Sequence, residues 1–398
     1  MALLLWPART SASGPWFWFC VLGIPNGLFF ITLGIARAGY EALWFRAHYW
    51  NMHRSKWLNS RVRYAQQPLQ VLGVGYCLPL DGTSLTGAIA AAKPLPKMQA
   101  PRNGPGTILH NRFADNDPQL DSPAIEAETL QHEAVHDESG THVSTQTLVS
   151  STVHLIRRAL EPLTVSLNAL SQYEPIYWPK VHVLASPAEA EKCEQQVRDA
   201  LRMVGLPALQ CQAVPATDSL LVADAWLDAS EKHPLLVVAA EWHDAPIAGS
   251  TEGGIAVLLA PGVFVLPEPV KVIATLHRPV AGELDTLTDV LANAVLWGNA
   301  DAPTVNPAWI SGLDASHETD LLAALGKASL AGVTKLETQR RPDSLIGRSG
   351  AAGGWLSIAA AVESAASGPH LILHTPQHTQ TAQAAILYVS PATVHFAA

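Results

Sequence analysis

The apolar positions of this chain fall into two regimes. The first is one unbroken run, Trp16–Ala36 (WFWFCVLGIPNGLFFITLGIA), 21 residues without a charge. A helix of that length extends about 31 Å, the thickness of a bilayer's hydrocarbon core. Only Arg9 precedes it. Arg37, Arg46, Arg54, Lys56, Arg61 and Arg63 follow it, against a single acid, Glu41. Basic residues close to a membrane segment stay on the cytoplasmic side, so this bias places residues 37–398 in the cytoplasm of a bacterial-type cell, tethered to the inner membrane by residues 16–36. Pro25-Asn26-Gly27 at mid-segment predicts a kink, because proline removes a helix hydrogen bond and asparagine is polar. Ala36-Arg37-Ala38 has the small-x-small form of a leader cleavage site. The n-region has one arginine, however, and the apolar run is longer than a leader's core, which favours a retained anchor.

Residues 37–64 predict an amphipathic neck helix, with Tyr40, Trp44, Phe45, Tyr49, Trp50 and Trp57 among the basic side chains, a composition suited to lipid headgroups. Beyond the neck the apolar positions come in short runs. Leu69–Cys77 reads as a strand and Leu85–Ala92 as a small-residue helix. Residues 93–123 are rich in Pro, Gly, Asn and Asp and form a loop or insertion. Ser144–Leu170 reads as a helix bent at Pro162, and Tyr173–Pro179 as a linker. Val181–Ala185 is then a strand, Pro187–Val204 a helix and Leu235–Ala240 a buried strand. Gly254–Ala260 and Val270–Leu276 read as an antiparallel pair. Helices follow at Leu284–Leu296, His317–Leu330 and Gly350–Ala366, and closing strands at Leu371–Thr375 and Ala384–Val389. Strands alternating with helices predict a layered α/β body. The expected division is 1–64 anchor and neck, 65–178 an N-terminal α/β lobe, and 179–398 a C-terminal α/β lobe.

The chain has 398 residues and a net charge of −9, although its neck is basic. The acidic body argues against nucleic acid as a partner. The four cysteines, Cys20, Cys77, Cys193 and Cys211, lack the paired short spacing of a zinc site or disulfide framework. Gly73-Val74-Gly75 is too short for a dinucleotide fingerprint, and no cofactor is expected.

Two patterns carry chemistry. His132-Glu133-Ala134-Val135-His136 matches HExxH, and His142 follows ten residues after His132. On a helix the two histidines share a face and can hold zinc while the glutamate activates water, which defines a membrane-bound zinc hydrolase as one alternative. Asp137 and Glu138, and a glycine at 140 where the turn toward a third ligand needs one at 139, make a solvated acidic helix the preferred reading, with no metal site assigned. The second pattern is Leu235–Glu241, then Glu252-Gly253-Gly254 opening a strand, then Gly347-Arg348-Ser349-Gly350-Ala351-Ala352-Gly353. It resembles the ketosynthases and other thiolase-fold condensing enzymes, in which an apolar strand leads to an EGA-type turn and a GHTxxAAG motif opens a small-residue helix. The resemblance implies a five-layer thiolase-like α/β body. It also marks what differs. Arg348 stands at the motif's histidine, and the nucleophilic cysteine would fall near Thr217-Asp218-Ser219, where there is none. Cys211 and Ser219 are the nucleophiles left for an acyl-transfer alternative.

Taken whole, the anchor, the neck running into PLQVLGVGYCLPL, and the stretches STEGGIAVLLAPG and IGRSGAAGGW resemble the type VI secretion lipase adapter family. That resemblance implies a non-catalytic adapter that binds a lipase effector and helps load it on the secretion spike. It assigns no catalytic, cofactor or metal residue.

Overall fold

A computed structural model describes residues 11–114, 117 and 150–390. The chain divides into two units, Met1–Tyr64 and Ala65–Ala398.

The first unit is a helix. α1 (Pro15–Trp18) passes through a π turn at Phe19–Gly23 into α2 (Ile24–Ala65). The whole stretch Pro15–Ala65 is long and apolar enough to cross a membrane. The π turn sits directly before Pro25, a usual way for a helix to absorb a residue without an N–H. The Asn26 amide donates to the Leu22 carbonyl (2.7 Å) and the Thr32 hydroxyl to that of Leu28 (2.8 Å), so both polar groups are satisfied within the helix. The neck lacks the expected amphipathic stripe. At about 100° per residue, Tyr40, Phe45 and Trp50 point to three different thirds of the circle, and no residue of α2 is buried.

The second unit is built on an 11-stranded sheet made of two copies of one plan. The first copy holds β1 (Leu69–Cys77), β4 (Lys180–Ala185), β5 (Cys211–Pro215), β6 (Leu235–Glu241) and β7 (Gly253–Pro261). The second holds β8 (Ala274–Leu276), β10 (Ala308–Ser311), β11 (Gln339–Arg340), β12 (Gly368–His374) and β13 (Thr381–Val389). Numbered within its own copy, each set lies in the order 3-2-4-5-1. Pairing is parallel among strands 2, 3 and 4 and antiparallel for 4 with 5 and 5 with 1 in both copies. The copies join where β1 pairs antiparallel with β8 (Leu69 opposite Leu276). A short strand, β9 (Val280–Glu283), continues β8 along β13 after the break at His277–Pro279. A separate hairpin, β2 (Lys97–Gln99) with β3 (Ile108–His110), lies in the loop region.

This arrangement changes two expectations. β7 and β8 do not pair with each other, because β1 lies between them and pairs with both. The duplicated halves meet between residues 261 and 274, not at residue 178 or 179. The strand and helices before that point belong to the same half as β4–β7.

Side-chain parity along the strands explains the layering. In β6, Leu235, Val237 and Ala239 enter one core while Leu236 and Val238 enter another. In β12, Ile372 joins the first core and Leu371 and Leu373 a third. The shared core holds α7 (Leu221–Asp228) and α11 (Gly353–Glu363). The second holds α4 (Ser151–Leu160), α5 (Thr164–Ser171) and α6 (Ala190–Met203), and the third α8 (Leu287–Trp297) and α9 (Glu318–Lys327). The result is five layers, helix–sheet–helix–sheet–helix. Each half places one helix in the middle layer, after its third strand and before its fourth.

The glycines of β1 have a packing role. A Cβ on Gly75 would fall 2.2 Å from the Ala159 carbonyl oxygen, and one on Gly73 would fall 2.5 Å from Leu163 Cδ2. They let the end of α4 press onto the strand. Gly75→Val is expected to destabilise the body by about 3 kcal/mol or more, read as a lowered urea midpoint of the full chain in detergent. Unchanged stability would show that α4 yields at no penalty.

Candidate functional site

Both middle-layer helices begin at the same end of the molecule's plan, and their approaches are unlike. Before α7 the chain leaves β5, makes a 3-10 turn at Ala216–Asp218 and reaches Ser219 at φ 36°, ψ −111°. This left-handed conformation is strained for a serine, by about 1–3 kcal/mol. Gln383 of β13 holds the turn, accepting from the Leu220 N–H (2.9 Å) and donating to the Thr217 carbonyl (3.0 Å). Ser219 itself is fully buried, and its Oγ has no hydrogen-bond partner among the described residues.

Before α11 the short helix α10 (Pro342–Ile346) ends at Gly347, whose φ of 100° favours glycine. Arg348 follows. Its N–H donates to the Gly249 carbonyl (2.7 Å), and the Thr251 N–H donates to its carbonyl (2.9 Å). The STEGG and IGRSG stretches are therefore joined backbone to backbone. The Arg348 guanidinium donates to Asp314 Oδ1 (2.5 Å), with both side chains about half exposed.

A third element comes from the ends of β10 and β12. His374 Nδ1 shares a hydrogen bond with Ser311 Oγ (2.9 Å), and Ser311 Oγ lies 3.3 Å from Ser357 Oγ on α11. Burial pushes the His374 imidazole down to about 4, so it is neutral at physiological pH. The chain turns at Gly312 (φ 76°), where a Cβ would strike the Thr375 carbonyl oxygen at 1.9 Å. The Gly312 N–H donates to Asp343 Oδ2 (2.5 Å), and burial pushes that carboxyl up to about 6. Arg348, Ser349, Asp314, Asp343, His374 and Thr375 line one cavity of about 500 Å³, within the usual size of a small-molecule site.

Two carboxylates brace this region. Glu241, at the end of β6, accepts the Ala351 N–H (3.1 Å), and burial pushes it up to about 7. Glu252 of the STEGG turn is 1% exposed. It takes both arms of the Arg102 guanidinium, one oxygen at 3.1 Å, and accepts the Phe113 N–H (3.1 Å). Arg102 also lies 3.8 Å over the Trp242 ring. The turn's glutamate thus anchors the loop that carries Arg102.

The residues singled out from the sequence are distributed as follows. Arg348 lines the cavity. Ser219 occupies the turn where a nucleophile was sought, but is sealed from solvent. Cys211 lies in β5, its thiol 3.6 Å from the Leu209 carbonyl and pushed up to about 11 by burial, so it carries almost no thiolate at neutral pH. Burial pushes Cys77 up to about 12. His132, Glu133, His136 and His142 lie outside the described residues. The sequence reading missed His374, Ser311, Asp343, Glu241 and Gln383. One signal was available: the apolar run from Leu371 ends on His374, two residues before Pro376, at a strand's carboxyl end, where α/β sites form.

No family model matches the chain, and no curated protein matches it. Solved structures do. The ketosynthase from module 1 of the bacillaene synthase from Bacillus amyloliquefaciens FZB42 superposes with a TM-score of 0.57 at 13% identity, over 84% of this chain and 75% of its own. The ketosynthase from module 6 of the bacillaene synthase from Bacillus subtilis 168 gives 0.54 at 10%, over 81% and 70%. An oxazolomycin ketosynthase domain from Streptomyces albus JA3453 gives 0.53 at 10%, over 83% and 76%. The body has the thiolase-like fold, and at these identities the likeness carries the fold alone.

Two outcomes follow. Glu252→Ala leaves the Arg102 guanidinium without its carboxylate and is expected to destabilise the body by about 3–5 kcal/mol in urea unfolding. A loss under 1 kcal/mol would show that the pair contributes nothing. Glu241 has a native pKa raised above the ordinary 4.5, so the native state holds its proton more tightly than the unfolded chain does. Its contribution is full below about pH 4.5 and is lost as pH rises through about 7. The stability of the wild type relative to Glu241→Gln should therefore fall between pH 5 and pH 8. A rising difference would mean that the carboxylate is favoured as the anion.

Proposed function

We propose that this protein is a membrane-anchored, non-catalytic binding protein, an adapter that holds a lipase-type effector for loading on a type VI secretion system. The observation that carries this reading is the pair of substitutions at the middle-layer helix starts. Thiolase-type acyl transfer needs a thiolate and an imidazole there. This chain has a buried Ser219 and an Arg348 held by Asp314. Arginine stays protonated at neutral pH and neither shuttles a proton nor accepts a hydrogen bond. The anchor supports the same reading. Its basic flank, residues 37–63, supports a body on the cytoplasmic side of an inner membrane, where an effector would be met before export. Effector and spike components are then its protein partners, bound on exposed surface and not in a deep catalytic site.

One observation favours a second reading. Ser219 keeps the strained backbone of a nucleophile turn. A serine-dependent acyl transfer would label Ser219 with a fluorophosphonate probe, and Ser219→Ala would abolish the labelling. In the adapter reading Ser219 stays unlabelled and Ser219→Ala binds its partner unchanged.

The deciding experiment is affinity capture of the tagged full chain from its own cells, together with protease access to a tag at Ala398 in spheroplasts. The adapter reading expects a co-purifying protein with esterase activity and a tag protected until lysis. A tag digested from outside would place the body in the periplasm and end the loading role. Capture free of esterase activity would remove the lipase as partner.

A further inference from the structure

Singly exposed apolar side chains are ordinary on a protein surface, but three gather at one end of this body. Val263 (88% exposed) and Val265 (77%) are the large apolar side chains most open to solvent among the described residues, and Leu296 is 49% exposed. The valines project from the loop that follows β7. Phe264 and Leu266 turn inward onto the second core, so the loop alternates out and in. The Phe264 ring meets Tyr177 edge-on at 4.9 Å, and Tyr177 lies 5.6 Å from Tyr173. The Phe264 N–H donates to the Pro261 carbonyl (2.9 Å) and the Val270 N–H to that of Pro267 (3.0 Å). These turns and their prolines hold the valines outward, where they add no apolar stabilisation to the fold.

The place of the patch says what it meets. Residues 66–70 open the body directly after α2 ends at Ala65, and they bind both parts of the patch. Gln66 Nε2 donates to the Leu296 carbonyl (2.9 Å), the Gly262 N–H to the Pro68 carbonyl (3.0 Å), and Gln70 Nε2 to the Gly262 carbonyl (3.0 Å). The exposed side chains therefore flank the point where the chain passes from the apolar helix into the body. The cavity wall at Ser250 belongs to the other end of β1, where Cys77 pairs with Gly254, and β1 is about 26 Å long.

The chemistry selects a lipid surface. Residues 262–267 (GVFVLP) carry no charge. Two valines on a braced loop enter between headgroups without needing a complementary pocket, and the tyrosines behind them have the amphipathic rings that favour a membrane–water boundary. A stable protein interface takes about 800 Å² from each partner, more than three side chains offer. The helix supplies what a small patch lacks. It is long and apolar enough to cross a bilayer, and so keeps the body near lipid at high effective concentration.

We propose that residues 262–266 form a finger that dips Val263 and Val265 into the headgroup–acyl boundary of the membrane holding the helix. The finger depends on the anchor of the reading above and not on the lipase.

The test places p-benzoylphenylalanine at position 263, or at position 336 as a control, in the full chain reconstituted in vesicles of phosphatidylethanolamine and phosphatidylglycerol. Leu336 is 72% exposed and lies just before the edge strand β11. After illumination, mass spectrometry is expected to find phospholipid adducts at 263 in at least fivefold excess over 336. Val265→Asp alters an exposed side chain, so the fold is kept, and it should lower the yield at 263 fivefold or more. Val265→Ile should keep the yield. Equal yields at the two positions overturn the proposal, as do undiminished adducts in Val265→Asp. A crosslink from 263 to a second copy of the chain in place of lipid overturns it in favour of a dimer. Alkaline carbonate separates the two readings. A chain stripped from the vesicles refutes the anchor and the finger with it, whereas a retained chain without adducts at 263 refutes the finger alone.

Discussion

The structure depends on a helix that has no solvent-facing side. Every residue of α11 from Gly353 to Val362 is buried, because sheet strands lie above and below it and α7 lies in the same layer. Such a helix can be neither amphipathic nor bulky at its contacts. A Cβ on Gly354 would stand 3.0 Å from Leu220 Cγ and 3.1 Å from His374 Cγ, and one on Gly353 would stand 3.0 Å from His374 Cε1. Those two glycines set how closely the turn before α7, the start of α11 and the end of β12 converge. The cavity, the buried histidine and the Gln383 clamp all follow from that spacing.

Much of this was legible in the linear pattern. The apolar runs located β1, β6, β7, β12 and β13, and the GRSGAAGG stretch identified the middle-layer helix through its small side chains. What was not legible was pairing. Val270–Leu276 follows Gly254–Ala260 closely in sequence, and a local hairpin is the simplest arrangement. The actual partner of both is β1, about two hundred residues earlier, and no local signal encodes it. The duplication was hidden for a related reason: it resides in strand order and not in repeated residues, so β5 (CQAVP) and β11 (QR) match as edge strands without matching as sequences. The site was half legible. Arg348 and the Ser219 turn stood out against a motif. His374, Asp343 and Glu241 come together only through the stacking of layers, and burial, which makes them chemically unusual, cannot be read from neighbours in sequence.

Two stretches that the sequence reading quoted without assigning them a role serve as braces. The GVG of β1 accommodates α4 and the 3-10 turn at Glu161–Leu163, and the glutamate of STEGG holds Arg102, which in turn lies on Trp242. A buried ion pair of this kind is expensive to break and adds little over an apolar substitute. Its value is positional: it ties residues 102–113 to the turn that docks the Arg348 backbone, so the loop region and the second half of the sheet share one anchor.

The central place of β1 has a consequence for how the chain is made. Among the described residues it comes first of the strands in chain order and follows the helix directly, yet both its neighbours, β7 and β8, come some 190 residues later. At roughly 5–20 residues per second, the strand waits about 10–40 s with both edges open. An open apolar edge is a template for pairing with other chains. Shielding of β1 during that interval, by the membrane surface, a chaperone or the growing chain itself, therefore bears directly on the yield of folded protein.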